Sequence, residues 1–443
     1  DSVRCRWRDA DSTCIPATAV HIAPAEPVSG PRLRLVRFAG FDDAVAALDA
    51  AWATRLARTP VERATAQALA AQLAGREDEA RTRWLTIARD TTIADTVARR
   101  RALIAAVAML QFAGDWTAMV ALAHDPRLAA LGGPTGDRAE VTHWAERLAP
   151  LAPPRLTLTH RRLVVPLVGD PLAALAVALR LGDVVAPAWL DTGTSTTLLA
   201  DDVAAAAGIV AIGDDTLELA TPAGRLRARL AVVDSLVVEA TVPRGARLVV
   251  RDLPVAIVSR HDLRLPSGEA GEPAQVIAGV LGVDVLARLR LVLDPAARRV
   301  EFAPTAGRAP DAPALLAWSG YPVLHLDTPS GTRLLFGLDT GADESTVTTS
   351  LFAQVAVAPT RGARRAMVGF AGTSRFSASV LRLLEGRVGE LVVSVHNAWV
   401  DEPRTVGIAR LDGVLGRDFL RAGAFVLDLR AGELRALGLR PVP

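Results

Sequence analysis

The sequence predicts an α+β multidomain protein in which an N-terminal α-helical domain precedes two mainly-β lobes. Three observations support this prediction. Apolar residues recur at helical spacing over residues 41–150, short runs of alternating apolar and polar residues fill the chain from residue 157 onward, and two motifs of this second part occur twice in the same order. At 443 residues the chain is long enough for two or three domains with substantial cores.

Residues 1–40 are expected to form an irregular segment, because four prolines interrupt it: Pro16, Pro24, Pro27 and Pro31. Cys5 and Cys14 are the only cysteines of the chain. Their spacing suggests one small disulfide loop formed in an oxidising compartment, with two unpaired thiols as the alternative. Together with a chain that begins at Asp1 without Met, the cysteine pair leads us to expect an extracytoplasmic location, periplasmic or secreted.

The pattern of residues 41–150 predicts a run of helical hairpins, arranged as a loose solenoid-like array or a bundle. Segments such as "ERATAQALAAQLAG" and "TIADTVARRRALIAAVAMLQFAG" place apolar residues three and four positions apart, with Gly or Asp at the breaks. No apolar run reaches the roughly 20 residues that span a bilayer, so no transmembrane segment is predicted. Three roles for this domain stay open: selecting protein substrates, covering a cleft as an inhibitory segment, or stabilising the first lobe.

Two Pro-rich stretches delimit the β-rich part of the chain. "RLAPLAPPRL" ends the helical pattern, and "APTAGRAPDAP" separates a first lobe at 157–303 from a second lobe at 314–443. Within each lobe, runs such as "RLRLVLDPAARRVEF" and "AFVLDLRAGELRAL" alternate with period two and end at turn residues. We therefore expect two lobes of short strands.

The two lobes share an internal repeat. "LDTG" occurs at 190–193 and again at 338–341, and "AGVLGVDVL" at 278–286 matches "DGVLGRDFL" at 412–420. The Asp-Thr-Gly copies lie 148 residues apart and the Val-Leu-Gly copies 134 residues apart, so the first lobe carries 14 additional residues between its motifs. Loops of a duplicated fold tolerate such length differences.

Each Asp-Thr-Gly follows an apolar run that reads as a buried strand. The strand places Asp191 or Asp339 at its end, and the glycine that follows allows a tight turn. Because an unpaired buried carboxylate is costly, the two aspartates are expected to face each other. Two such carboxylates share one proton, so that one acts as acid and the other as base, and the pair can direct a water at an amide carbonyl. The hydroxyls of Thr192 and Thr340 are expected to bond backbone across the junction.

These motifs resemble those of aspartic peptidases of the retropepsin-like kind, present twice and joined in one chain as in pepsin-like enzymes. "LDTGADEST" with "DGVLGRDFL" resembles the retropepsin pattern closely, whereas "LDTGTSTTLL" is nearer to a pepsin-like lobe. The resemblance implies two mainly-β retropepsin-like lobes, of the acid protease barrel type, over about residues 158–440. It also implies a catalytic dyad of Asp191 and Asp339, with Thr192, Gly193, Thr340 and Gly341 completing the two loops.

The resemblance further implies a β-hairpin flap in each lobe that closes over an extended peptide. The matching turns are "ATPAGRL" and "GFAGTSR", which give the flap candidates Pro222, Ala223, Gly224, Phe370, Ala371 and Gly372. Pepsin-like lobes place a tyrosine on the flap, but the one tyrosine of this chain, Tyr321, lies outside both hairpins, so a retropepsin-like flap with Phe370 at its tip is expected. Arg417 fits the arginine that retropepsins use for an internal ion pair, where the first copy has Val283.

The leading interpretation is an aspartic endopeptidase that works as a monomer, with both lobes in one chain and a peptide or protein as substrate. Two alternatives stay open: a peptide-binding or assembly module of the same fold that does not cleave, and lobes that pair between two chains.

The scattered basic residues, 50 against 48 acidic ones, argue against a nucleic-acid partner. No metal site and no cofactor are predicted, because HExxH, phosphate-loop and Cys/His metal spacings are missing from the sequence. Turn positions favour structural roles for Asp284, Asp294, Asp418 and Asp428, and solvated or ion-paired roles for Asp343 and Glu344.

Overall fold

The structure is a computed structural model that describes residues 7–8, 14–15, 18–25, 38–131, 137–169, 175–221, 224–265, 275–308, 314–355, 359–369 and 372–439. The described residues of the N-terminal segment include the short strands β1 (Trp7–Arg8), β2 (Cys14–Ile15) and β3 (Ala19–Pro24). The first two pair with each other in antiparallel orientation.

The described residues that follow form the α-helices α1 (Phe41–Ala46), α2 (Ala50–Leu56), α3 (Pro60–Leu73), α4 (Glu77–Arg89), α5 (Thr96–Ala113), α6 (Trp116–Ala123) and α7 (Asp137–Leu148). A 3₁₀ helix at Pro126–Leu131 connects the last two. Local sequence explains where they begin and end. Thr59 and Glu62 form a capping box at the start of α3, Asp95 caps α5, and Gly114 ends α5 with φ +71°.

The first lobe contains the strands β4 (Arg155–Leu158), β5 (Leu163–Pro166), β6 (Ala176–Leu181), β7 (Val184–Leu190), β8 (Leu198–Ala200), β9 (Leu217–Thr221), β10 (Gly224–Glu239), β11 (Arg247–Val258), β12 (Arg264–Leu265), β13 (Gln275–Val276), β14 (Gly279–Leu281), β15 (Leu289–Asp294) and β16 (Arg299–Pro304). The described part of the lobe also contains the short helices α8 (Asp201–Ala206) and α9 (Val283–Leu286). Six strands close into a barrel in the order β11-β8-β14-β7-β6-β10, because β10 also pairs with β11.

The second lobe contains the strands β17 (Ala317–Trp318), β18 (Pro322–Asp327), β19 (Arg333–Leu338), β20 (Thr346–Thr348), β21 (Thr360–Gly369), β22 (Gly372–Val388), β23 (Leu391–Asp401), β24 (Arg404–Val406), β25 (Ala409–Leu411), β26 (Gly413–Leu415), β27 (Gly423–Asp428) and β28 (Glu433–Leu439), with 3₁₀ helices at Thr349–Ala353 and Arg417–Ala422. Its barrel closes in the order β23-β20-β26-β19-β18-β22. Strand for strand this repeats the first lobe.

A five-stranded antiparallel sheet joins the lobes, in the order β28-β27-β15-β16-β5. The last hairpin of each lobe contributes to it, and β15 pairs directly with β27, with Leu291 opposite Leu427. The sheet buries side chains of both hairpins, among them Phe302 and Phe425. The helical region followed by two β-barrel lobes confirms the predicted fold class.

The N-terminal segment is more regular than its prolines indicated. Ala19–Pro24 extends the sheet of the second lobe by pairing antiparallel with β23. Val20 and Ile22 are buried on one face of this strand, whereas the sequence analysis expected an irregular segment. Val20 and Ile22 alternate along the strand and pack into the core, while the backbone of the strand pairs with β23; only Pro24 at the end of the strand lacks an amide donor.

The helical region packs mainly against the second lobe. Its alanine-rich core, which surrounds the fully buried Trp84, is continuous with Val323, Leu335 and Leu411 of that lobe. Gln72 of α3 bonds both sides of the contact: its amide accepts a hydrogen bond from Trp84 Nε1 at 2.9 Å and donates one to Trp318 O at 2.7 Å. The last helix, α7, also contacts the first lobe, where Arg147 pairs with Asp215.

We expect Gln72→Leu to lower the free energy of unfolding by about 2–4 kcal/mol, because it leaves a buried indole donor and a carbonyl without partners. Denaturant unfolding measures this change. Gln67→Leu, on the exposed face of the same helix, is the matched control and is expected to change the free energy by less than about 0.5 kcal/mol. Equal effects of the two variants would refute the bridging role of Gln72.

In the part of the chain that the structure describes, no helix has the length and apolar character needed to cross a membrane.

Candidate active site

Asp191 and Asp339 each lie at the end of a central strand. The strand before each aspartate pairs in parallel with the Val-Leu-Gly strand of its own lobe, β7 with β14 and β19 with β26. The Asp191 amide donates to Leu281 O at 3.1 Å, and the Asp339 amide donates to Leu415 O at 2.9 Å. The repeated motifs are therefore neighbours in space within each lobe, and they fix the direction in which each aspartate leaves its strand.

Thr192 and Thr340 bind the two lobes to each other in a reciprocal arrangement. The Thr192 hydroxyl donates to Leu338 O at 2.8 Å and accepts from the Thr340 amide at 3.0 Å. The Thr340 hydroxyl donates to Leu190 O at 2.7 Å and accepts from the Thr192 amide at 3.0 Å. Both threonines are buried, so the four bonds hold the two Asp-Thr-Gly loops in one fixed geometry.

The two aspartates face each other across this junction. A Cβ atom placed on Gly193 would lie 2.5 Å from Cγ of Asp339, and one placed on Gly341 would lie 2.5 Å from Cγ of Asp191. Any side chain at either glycine would therefore overlap the carboxyl group of the other lobe. The two loops place both carboxyl groups in one site.

Backbone and hydroxyl donors hold each carboxyl group. Asp191 accepts from the Gly193 amide at 2.7 Å and from the Thr194 hydroxyl at 2.7 Å. Asp339 accepts at one oxygen from the amides of Gly341 and Ala342, at 2.9 and 3.0 Å. Burial, followed by the charge of Asp339, raises the pKa of Asp191 to about 7. The site thus retains a proton up to about neutral pH.

A second layer fixes the loops from beneath. Asp284 accepts from the Thr197 amide and hydroxyl, both at 2.8 Å, and Asp418 accepts from the Ser345 amide and hydroxyl at 2.8 and 2.6 Å. Gly282 allows close approach, since a Cβ there would lie 2.8 Å from Thr194 O. These contacts are structural, as the turn positions of both aspartates indicated.

Arg417 differs from its counterpart in the first copy, Val283. It forms an ion pair with Asp343, and its guanidinium lies 5.8 Å from the centre of the Trp189 ring. Desolvation lowers the pKa of Arg417 to about 10, which leaves it charged at physiological pH. The second loop of the site is thereby linked to Trp189, near the end of β7 in the first lobe.

Tyr321 was missed by the sequence analysis, which noted only that it lies outside the flap hairpins. Its phenol donates a hydrogen bond to Asp339 Oδ2 at 2.7 Å, from the turn between β17 and β18. Two differences between the copies could have indicated it: Ala342 stands where the first copy has Thr194, and Gly337 stands where it has Trp189. The first removes a hydroxyl from the loop, and the second makes space for a ring.

Each predicted flap turn connects two antiparallel strands. Thr221 pairs with Gly224 across one turn, and Gly369 pairs with Gly372 across the other. Pro222, Ala223, Phe370 and Ala371 lie outside the described residues, so their place relative to the aspartates stays a prediction.

Cys5 also lies outside the described residues, as does the side chain of Cys14, and the disulfide remains a prediction. The expected extracytoplasmic location likewise stays a prediction. Within the described ranges, no group of three or more His, Cys, Asp or Glu side chains is arranged to hold a metal ion.

A sequence model of the aspartyl protease family matches residues 177–285 and 328–419, one stretch in each lobe. No curated protein gives a significant sequence match. Among solved structures, the chain is similar to an aspartic proteinase from Irpex lacteus, with 16% identity over 62% of this chain and 96% of that one, at a TM-score of 0.34. It is also similar to a retropepsin-like aspartic protease from Rickettsia conorii, with 13% identity over 34% and 92% of the two chains and a TM-score of 0.21. Basic 7S globulin from soybean matches with 14% identity over 61% and 92%, at a TM-score of 0.33.

The low TM-scores support no inference about what this chain binds or cuts. The family match covers the Asp-Thr-Gly and Val-Leu-Gly elements of both lobes. The resemblance found in the sequence, two retropepsin-like lobes fused in one chain behind a helical domain, is confirmed.

We expect Thr192→Val, which keeps the shape of the side chain, to lower the free energy of unfolding by about 2–5 kcal/mol. The variant leaves Leu338 O and the Thr340 amide buried without partners, at about 1–3 kcal/mol each. Denaturant unfolding checks this, with the exposed Thr82→Val on α4 as the control that should change stability by less than about 0.5 kcal/mol. A loss no larger than that of the control would contradict a joint held by these threonines.

We expect thermal stability to be higher at pH 5 than at pH 8. Burial raises the pKa of Asp284, Asp412 and Asp418 to about 6, above the value of 3.8 for an unburied aspartate. Groups with a raised folded pKa stabilise the fold below their unfolded pKa, and this contribution disappears as pH rises through about 6. His396, whose pKa burial lowers, acts in the opposite direction but is a single group.

Differential scanning calorimetry at constant ionic strength measures this dependence. An unfolding temperature that rises steadily from pH 5 to pH 8 would show that the buried carboxyl groups do not govern stability.

Proposed function

We propose that this chain, whose two lobes have the aspartic protease fold, is an aspartic endopeptidase that hydrolyses peptide bonds with a water held between Asp191 and Asp339. One observation carries the proposal: the Thr192 and Thr340 bonds place the two carboxyl groups opposite each other in a single chain. A binding module with separated aspartates would have no need for this geometry.

The proposed mechanism needs one proton shared by the two carboxyl groups. The ionised carboxylate removes a proton from the water as its oxygen forms a bond to the amide carbon. The protonated carboxyl group donates to the carbonyl oxygen, which becomes a hydroxyl of the tetrahedral intermediate. As the C–N bond breaks, the dyad proton passes to the leaving nitrogen, and the other carboxylate takes a proton from one hydroxyl of the intermediate, whose oxygen re-forms the carbonyl of the new acid. The dyad is then singly protonated again.

The substrate we propose is a peptide or protein segment in extended conformation. Such a segment would form strand-like main-chain bonds beneath the two hairpins, with apolar side chains in aliphatic subsites. We propose that the chain acts as a monomer, because the bonds between the Asp-Thr-Gly loops lie within one chain.

Asp191→Asn and Asp339→Asn are each expected to lower kcat/KM for peptide cleavage by about 10³-fold or more, since each removes one half of the acid and base pair. Cleavage of a peptide library followed by mass spectrometry, between pH 3 and pH 8, measures this loss. Asp202→Asn, which affects an exposed ion pair of the first lobe, is the matched control and is expected to retain activity within roughly twofold.

Cleavage that survives either active-site substitution would overturn the proposal. Saturable peptide binding by the parent protein without any cleavage would favour the alternative of a binding or assembly module.

The pH dependence of cleavage provides a further test. Because the pKa of Asp191 is raised to about 7, the dyad loses its shared proton above that pH, and kcat/KM is expected to fall on the alkaline side. Initial rates with one cleaved peptide across pH 4 to pH 9 measure this alkaline decrease in kcat/KM. Activity that keeps rising to pH 9 would contradict the shared-proton mechanism.

A further inference from the structure

We propose that Tyr321 is a positioning residue of the dyad, whose phenol donates to Asp339 and so makes Asp339 the carboxylate that activates water while Asp191 carries the proton. This inference rests on the proposed function and assigns roles within it. It follows from an asymmetry between the two copies of the Asp-Thr-Gly loop.

In the first copy the loop itself supplies a hydroxyl to its aspartate. Thr194 lies three residues after Asp191 and donates to Asp191 Oδ2 at 2.7 Å. In the second copy the same place is taken by Ala342, which has no hydroxyl, and Asp339 Oδ2 instead accepts from Tyr321 at the same distance of 2.7 Å. The tyrosine therefore substitutes for a missing loop donor from another part of the lobe.

Gly337 leaves space for the tyrosine ring in the second copy. A Cβ placed on Gly337 would lie 2.7 Å from Cε1 of Tyr321, whereas the first copy carries Trp189 at the matching position. Three residues of the second copy thus form one arrangement. Gly337 leaves space for the ring, Ala342 lacks the hydroxyl of Thr194, and Tyr321 supplies a hydroxyl in its place.

The donors are unequally divided between the carboxyl groups. Among the described residues, Asp339 accepts from Tyr321 and from two amides, while Asp191 accepts from one amide and Thr194. Hydrogen bonds to a carboxylate favour its charged form. Burial and the charge of Asp339 raise the pKa of Tyr321 well above its usual value, so the phenol stays a donor throughout the pH range of the enzyme.

The helical domain holds the turn that presents Tyr321. Trp318, three residues earlier, donates from Nε1 to Ala108 O at 3.1 Å, and its ring stacks on Phe112 at 4.6 Å, both on α5. Gln72 of α3 donates to Trp318 O. The turn closes with the Ser319 amide donating to Tyr321 O at 3.1 Å. The helices thereby help to set the position of the phenol against the dyad.

Tyr321→Phe tests the proposal, because it removes the hydroxyl and keeps the ring. Without this donor the dyad should take up its second proton at higher pH. The acid limb of the pH profile of kcat/KM is therefore expected to shift to higher pH by about one unit. We expect kcat at the optimum to fall by about tenfold with KM nearly unchanged. An acid limb and a kcat equal to those of the parent protein would overturn the proposal.

Two further variants separate a specific effect from a general one. Tyr321→Phe combined with Ala342→Thr returns a hydroxyl to the loop position that Thr194 occupies in the first copy, and is expected to move the acid limb back towards that of the parent. Thr305→Val removes a hydroxyl that donates to the buried Asp428 at 2.6 Å, away from the dyad, and is expected to leave the limb in place. A limb that moves equally in Thr305→Val would overturn the assignment to Tyr321.

Fluorination provides a test that needs no substitution, because the chain contains a single tyrosine. Biosynthetic incorporation of 3-fluorotyrosine makes the phenol more acidic and a stronger donor, so the acid limb should move to lower pH, opposite to Tyr321→Phe. The ¹⁹F signal should titrate with the dyad and lose this titration in Asp339→Asn. A signal that changes neither with pH nor in Asp339→Asn would refute the hydrogen bond between Tyr321 and Asp339.

The ¹⁹F titration also distinguishes this inference from the proposed function. A signal that follows the dyad in a parent protein that cuts no peptide would reject the peptidase and retain the Tyr321 bond. If the parent protein cleaves peptides and Tyr321→Phe changes neither the acid limb nor kcat, the peptidase is retained and the role of Tyr321 is rejected.

Discussion

The reciprocal bonding of Thr192 and Thr340 is the constraint on which the rest of the site depends. Each hydroxyl donates to a carbonyl of the other lobe and accepts from an amide of the other lobe, and all four partners are backbone groups at the ends of buried strands. The joint therefore fixes one lobe relative to the other at the point where the aspartates emerge. Gly193 and Gly341 follow from it, because the space above each glycine holds the carboxyl group of the other lobe.

The duplicated lobes are equal in topology and unequal in chemistry. Both barrels use the same strand order, and Asp284 and Asp418 hold their loops in the same way. Around the aspartates the copies diverge, since a local threonine serves Asp191 and a distant tyrosine serves Asp339. A fused chain permits this divergence, whereas two identical chains would have to present the same donors to both carboxyl groups.

The sequence sufficed for the features that are repeated or local. The facing aspartates followed from two copies of one motif, and the helix and strand types followed from their periodicity. The differences between the copies at Ala342 and Gly337 indicate that Asp339 has another donor, but they do not place Tyr321, because its contact depends on how the β17–β18 turn folds over β19. The packing of the helices on the second lobe was equally hidden, since an alanine-rich helix face does not specify its partner. Ala19–Pro24 was obscured by the prolines around it.

We propose that one chain contains one active site made from both lobes. Isothermal titration of the purified protein with a peptide isostere, whose hydroxyl replaces the attacked carbonyl, measures the number of binding sites per chain. The solution mass shows whether the protein is a monomer, and the two measurements together test this proposal most directly. Our account predicts one bound molecule per monomeric chain and its loss in both Asp191→Asn and Asp339→Asn. Two molecules per chain, one molecule per two chains, or binding that persists in either variant would contradict it.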